Sequence, residues 1–189
     1  MRRRTLIAIG LIATGAALAL PTAVHAQQAA ADPEKTLLLE LKQGEVTIEM
    51  FPEAAPKHVE RIKLLTRQGF YDGTPFHRVI EGFMAQGGDP TGTGTGGSKL
   101  PDLAAEFGQR RFLRGVVGMA RSQSPDSANS QFFIMFAPSP GLDGKYTVWG
   151  RVTKGMELVE QIKRGAGANG AMVGPPDRIV RMRVAADVK

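Results

Sequence analysis

The stretch FHRVIEGFMAQGGD, Phe76 to Asp89, sets an arginine inside an otherwise apolar run, then a phenylalanine, a glutamine and paired glycines. Strands that build cores seldom carry a lone Arg, because burying an unpaired charge is expensive. Side chains two apart share a strand face, so Phe76, Arg78 and Ile80 are expected to point one way. Met84 and Gln86 should share a face on the next strand, with Gly82 permitting the tight connection between the two. Gly87 and Gly88 let backbone or a ligand approach closely. If Arg78 and Gln86 converge on one concave surface, that surface holds a fixed cation, an amide and apolar walls. It would have no nucleophile and no evident general base.

Outward from this stretch the chain reads as mainly β. Leu37, Leu39 and Leu41, then Val46, Ile48 and Met50, alternate with polar residues around Gln43-Gly44, which predicts a hairpin. Glu53 to Gln68 predicts a helix, with Pro56 in its first turn, an apolar stripe of Val59, Ile62 and Leu65, and Gly69 at its end. Short strands are expected over Phe76 to Ile80, Met84 to Gly88, Val116 to Ala120, Gln131 to Phe136, Tyr146 to Val152 and Ile179 to Val184. A second helix is expected over Met156 to Arg164. Many short strands, turns rich in glycine and proline, and only two helices suggest a closed antiparallel barrel or a sandwich.

The N-terminus has the three-part layout of a secretory signal. Met1 to Arg4 is basic, Thr5 to Leu20 is apolar and uncharged, and Pro21 precedes the small-residue ending Val24-His25-Ala26. Cleavage after Ala26 is expected, since 16 apolar residues fall short of the roughly 20 of a membrane-spanning helix. The pair Arg3-Arg4 does not by itself choose between the Sec and twin-arginine routes. Residues 27–35 read as a flexible leader and residues 36–189 as one domain. Removing Arg2, Arg3 and Arg4 from 24 basic residues leaves 21 against 18 acidic, a balance that gives little reason to invoke nucleic acid. The cluster Arg110-Arg111-Phe112-Leu113-Arg114 reads as a solvated turn rather than a binding stripe. No cysteine occurs, which removes disulfides, thiol nucleophiles and a lipidation site.

Several patterns imitate chemistry. Gly92 to Gly97 and Gly165 to Gly170 both satisfy G-x-G-x-x-G, but neither follows a strand and opens a helix, as dinucleotide binding requires. His58 is expected to lie exposed on the first helix, and His77 to play a hydrogen-bonding structural role. With no H-E-x-x-H pattern and no cysteine, a metal site is not indicated. No G-x-S-x-G elbow is present either. By composition alone Phe83, Met84, Phe133 and Leu142 read as core.

Phe76 to Asp89 closely resembles the signature of the cyclophilins, the peptidyl-prolyl cis-trans isomerases. Gly118-Met-Ala-Arg121, Asn129-Ser-Gln-Phe-Phe-Ile134 and Leu142-Asp-Gly-Lys-Tyr-Thr-Val-Trp-Gly150 resemble the same family in the right order. The resemblance spans about Thr36 to Val184 and implies a closed eight-stranded antiparallel β-barrel capped by two α-helices. It implies that Arg78 is catalytic, that Phe83, Met84, Phe133 and Leu142 form a proline pocket, and that Gln86 contacts a substrate amide. Ala120 and Gln131 fall on groove-lining positions, Arg121 on a usual backbone contact, and Tyr146 where a late pocket histidine is common. Gly141 stands where the family often has a bulky ring, which implies at most weak cyclosporin binding. Glu81 replaces a frequent proline. The resemblance implies no cofactor and no covalent intermediate. The expected protein is a monomer exported to the periplasm, with full secretion as the alternative, free of the membrane after signal cleavage, that acts on proline-containing polypeptides and assists folding of exported proteins. A proline-peptide binding or chaperone-like module with weak catalysis is the alternative.

Overall fold

The computed structural model describes residues 31–188, so the expected signal peptide and Gln27 to Ala30 lie outside the described residues. Eight strands form one antiparallel sheet: β1 Thr36–Leu41, β2 Gly44–Met50, β3 Arg78–Ile80, β4 Met84–Gly87, β5 Val116–Met119, β6 Phe132–Met135, β7 Val148–Lys154 and β8 Arg181–Val184. Two helices, α1 Pro56–Arg67 and α2 Met156–Val159, complete the regular structure. The ladder order β3-β4-β6-β5-β7-β2-β1-β8 leaves β3 and β8 as the two ends of a curled sheet, so the ladder is not the closed barrel expected. The chain on either side of those ends is stitched instead, with Gly73 N–H donating to Ile179 O, Ile179 N–H to Thr74 O and Phe76 N–H to Asp177 O.

That stitching corrects the reading of Phe76. Its backbone is committed to Asp177, and the strand begins only at Arg78, so the period-two pattern does not extend back to it. Phe76 is fully buried in the main core with Ile62, Tyr71, Phe132, Ile134 and Trp149. Alternation along β6 then divides the interior. Phe132 and Ile134 face this main core, while Phe133 and Met135 face a smaller cluster with Phe51, Met84, Phe112 and Val148.

Other boundaries moved for local reasons. In α2 the chain after Val159 tightens into bonds three residues apart, Gln161 N–H to Leu158 O and Ile162 N–H to Val159 O, a geometry that rarely propagates. Ahead of β1, Pro33–Lys35 makes a 3-10 turn capped by the Asp32 carboxylate, where a flexible leader was expected. Glu34 in that turn pairs with Lys63 and Arg67 of α1.

His58 is the largest departure. It is fully buried, not exposed, because it shares the stripe of Ile62 and Leu65 at helical spacing. The Glu106 carboxylate accepts from its Nδ1 at 2.6 Å and from the N–H groups of Lys57 and His58 at 3.0 Å each. Those N–H groups belong to the first turn of α1, which has no side-chain cap of its own.

Candidate active site

Strand register, rather than sequence proximity, assembles the site. Arg78 pairs with Gln86 across β3–β4, and Gln86 pairs with Phe133 across β4–β6. This makes one row of side chains over the smaller cluster. Met84, one step along, lies opposite Ile80 and Met135. The β3–β4 turn works because Gly82 adopts a φ of +68°, in the left-handed region that favours glycine.

A pocket of about 170 Å³ opens on this face, lined by Arg78, Phe83, Met84, Gln86, Ala120, Arg121, Phe133, Leu142 and Tyr146. Its floor is nearly closed to solvent, with Met84 at 1% and Phe133 at 6% exposure. The choice between core and pocket for these residues therefore dissolves: one layer of side chains serves both. Phe112 supports the floor from behind, its ring stacked 5.6 Å from that of Phe133 at 24°. Gly118 makes the stack possible, since a Cβ there would come within 2.6 Å of both rings. Gln131 lies apart from the other expected site residues, in an adjoining groove of about 460 Å³ that also involves Gly94 to Ser98, Asp102 and Asn129. Gln86, Ala120 and Arg121 border both spaces.

Arg78 is held from two sides. Its Nε donates to Asn169 O at 2.9 Å and its Nη1 to Gln86 Oε1 at 3.1 Å. Nη2 has no hydrogen-bond partner among the described residues. The Gln86 amide donates in turn to Gln131 Oε1 at 2.9 Å, and Gln131 Nε2 donates to the carbonyls of Gly94 and Gly96. Glu81 does not compete for Arg78, being paired with Arg164.

The loop that ends this relay is organised by Asp89, which sequence analysis passed over. Its carboxylate is fully buried and accepts from Thr91 N–H and hydroxyl at 2.8 Å each, Gly94 N–H at 2.7 Å and Gly96 N–H at 3.1 Å. Burial alone would raise its pKa, but these bonds outweigh burial and hold it at about 2. An Asp directly before a Thr- and Gly-rich run was the available signal, because such carboxylates cap nearby backbone N–H groups. The two glycine-rich segments thus buttress the arginine, one through Asn169 O and the other through Gln131.

His77 is buried, its backbone carbonyl accepts from Met172 N–H, and burial lowers its pKa against the opposing pull of nearby Asp89. The Arg110–Arg114 segment is laced to carboxylates: Arg110 to Glu53, Arg111 to Asp143 and Arg114 to Glu160. Phe112 within it is buried beneath the pocket rather than solvated. Gly141 is exposed in a 3-10 turn, Pro140–Leu142, and a Cβ there would meet nothing within 4 Å.

A curled eight-stranded antiparallel sheet with two helices defines a cyclophilin-like fold. The model of the family described as cyclophilin type peptidyl-prolyl cis-trans isomerase/CLD matches residues 36–184. A probable peptidyl-prolyl cis-trans isomerase of Brucella suis is 50% identical over 189 residues, covering 94% of this chain and 96% of its own length. A cyclophilin crystal structure from Hirschia baltica superposes with a TM-score of 0.75 at 30% identity, covering 84% of this chain and 77% of its own. A cyclophilin-type isomerase from Cryptosporidium parvum, crystallised in the presence of the dipeptide Ala-Pro, gives a TM-score of 0.71 at 29% identity, covering 79% of this chain and 98% of its own. The chain belongs to the cyclophilin-type peptidyl-prolyl cis-trans isomerase family.

Proposed function

We propose that this peptidyl-prolyl cis-trans isomerase works at the Arg78 pocket, and that the pocket receives the proline ring of an extended polypeptide. The observation that carries the proposal is the convergence of one braced cation with the apolar floor of Phe83, Met84, Phe133 and Leu142. Rotation about a peptide bond meets a barrier of about 18–20 kcal/mol, because the C–N bond has partial double-bond character. Lowering it requires no covalent step. The ring is gripped while the preceding carbonyl swings, and an Arg78 N–H near the prolyl nitrogen favours the pyramidal nitrogen found only in the twisted state. Such binding is stronger to the transition state than to either ground state. A 10⁵-fold acceleration corresponds to about 7 kcal/mol at roughly 1.4 kcal/mol per decade. One charge-assisted hydrogen bond in a dry site, together with restricted orientation of the substrate, is of that order. Gln86 and Gln131 hold the peptide backbone beside the ring, with Ala120 and Arg121 bordering both spaces and Tyr146 walling the pocket.

The clients are proline-containing polypeptides being folded after export, and the protein acts as a monomer in the periplasm. Support for export is the layout of residues 1–26, which predicts a mature chain beginning at Gln27. Among the described residues no helix is long and apolar enough to cross a membrane. A protease-coupled assay on Ala-Pro and Phe-Pro peptides tests the activity. No acceleration at micromolar protein would leave only a proline-peptide binding role. Mass spectrometry of the exported protein tests the cleavage site, and a start other than Gln27 would refute it.

A further inference from the structure

Arg121 follows β5 and sits on the divide between the pocket and the adjoining groove, lining both. Its position in the family pattern suggests a contact with the substrate backbone, yet its donors are turned toward its own chain. Nε and Nη2 donate to Lys145 O at 3.4 and 3.0 Å, and Nη1 donates to Ser122 O and Gln123 O at 2.9 and 3.2 Å. A guanidinium has five N–H groups, so these bonds leave one on Nη2. The plane of the group is also occupied: its central carbon lies 4.4 Å from the centroid of the Tyr146 ring.

Tyr146 needs that contact. Its hydroxyl has no partner among the described residues, and its ring meets Phe133 and Phe112 edge to face at 5.8 and 6.5 Å. A further constraint comes from Arg121, which grips the ring and also the carbonyl of Lys145, one residue earlier in the chain. The same side chain ties down the first residues of the loop 122–127, where Ser122 N–H donates to Ser127 Oγ and Ser127 Oγ donates to Ser124 O. That loop borders the adjoining groove through Ser122 and Ser127.

We infer that Arg121 is a positioning residue, which sets peptide affinity by holding Tyr146 as a wall of the proline pocket rather than by bonding to the peptide. This rests on the pocket being the proline site. Charge alone does not do the work. Lysine would supply a point charge with three donors, but no plane to lie on the ring and no fork to span two loops. Because Arg121 steadies a wall and leaves Arg78 untouched, its loss acts on binding more than on the rate of rotation.

The test is an NMR titration with an Ala-Pro peptide, which reads the dissociation constant and the cis-trans exchange rate on the protein. It compares wild type, Arg121→Met, Arg121→Lys, Tyr146→Leu and the Arg121→Met/Tyr146→Leu pair, with Tm recorded for each. Arg121→Met and Tyr146→Leu should each weaken binding by about tenfold while the bound exchange rate stays within about twofold. The double variant should bind no worse than Tyr146→Leu, because the wall is already gone. Arg121→Lys should resemble Arg121→Met. Effects that multiply to about a hundredfold in the double variant would overturn the inference, as would full recovery by lysine or normal binding by Arg121→Met. A wild-type protein that exchanges no peptide would refute the pocket assignment itself, whatever the variants do.

Discussion

Replacing Asp89 by asparagine probes the relay that ends at Arg78 without touching any residue of the pocket. The carboxylate is fully buried and accepts four hydrogen bonds from the loop that follows it. Asparagine keeps one oxygen, enough for the N–H and hydroxyl of Thr91. It turns an amide NH₂ toward the N–H groups of Gly94 and Gly96, where donor then faces donor. Two partly buried donors without acceptors cost about 1–3 kcal/mol each, so Asp89→Asn should lose roughly 2–6 kcal/mol. At roughly 2–4 °C per kcal/mol for a chain of this length, Tm should fall by about 4–24 °C. Activity should fall as well, by about three- to tenfold in kcat/KM, because the carbonyls of Gly94 and Gly96 hold Gln131, which holds Gln86 and through it Arg78.

Acid provides a second readout on the same residue. Asp89 ionises at about 2 in the fold, against 3.8 as the ordinary value, so folding favours its charged form. The stability this contributes, about 2 kcal/mol, is complete above pH 4 and is lost as the pH falls through 2. Urea unfolding between pH 4 and 2 should therefore show a shallower acid limb in Asp89→Asn than in wild type. A variant that melts within about 1 °C of wild type, with an unchanged acid limb and full activity, would refute the reasoning.

Burial lowers the His58 pKa, against the opposing pull of Glu106, so stability should be complete above about pH 6.5 and decline as His58 takes up a proton below it. His58→Asn keeps a donor toward Glu106 but cannot titrate, and unfolding followed from pH 7.5 to 5 should lose that slope; an unaltered slope would contradict the assignment. Gly118→Ala forces a methyl within 2.6 Å of both stacked rings, so calorimetry should show roughly 1–3 kcal/mol of destabilisation together with reduced kcat/KM. A Cβ at Gly141 would meet nothing within 4 Å, and fluorescence titration of Gly141→Trp should show tighter cyclosporin binding than wild type. An unchanged dissociation constant would mean that the missing wall does not limit affinity.

The pocket was legible in the sequence because β-strand register is periodic. Arg78, Met84 and Gln86 lie on a hairpin whose turn, Gly82, is visible, and the motif around Phe133 supplies the neighbouring strand. Period two failed at Phe76, where the chain leaves the ladder to pair with residues far away in sequence, and no local pattern reports that. His58 could have been found by helical spacing, since it stands four residues before Ile62 and seven before Leu65, but its polar character argued for the surface. Its carboxylate partner lies 48 residues away, in a loop without periodicity. The bracing of Arg78 was hidden for a related reason. It depends on the backbone carbonyls of Asn169, Gly94 and Gly96, and side-chain identity says nothing about where a carbonyl will point. Arg121 was recognised by position, yet its partners are carbonyls too, so its orientation emerged only from the fold.

The most direct measurement is the isomerisation rate of an Ala-Pro peptide with wild-type protein beside Arg78→Ala. Arg78 is half-buried, and its bonds to Asn169 and Gln86 lie at the edge of the sheet, so the variant should keep its fold and melt within a few degrees of wild type, as roughly expected outside the core. The account predicts that kcat/KM falls by about two orders of magnitude or more, the size of losing one transition-state donor. A folded Arg78→Ala protein with activity near that of wild type would contradict it.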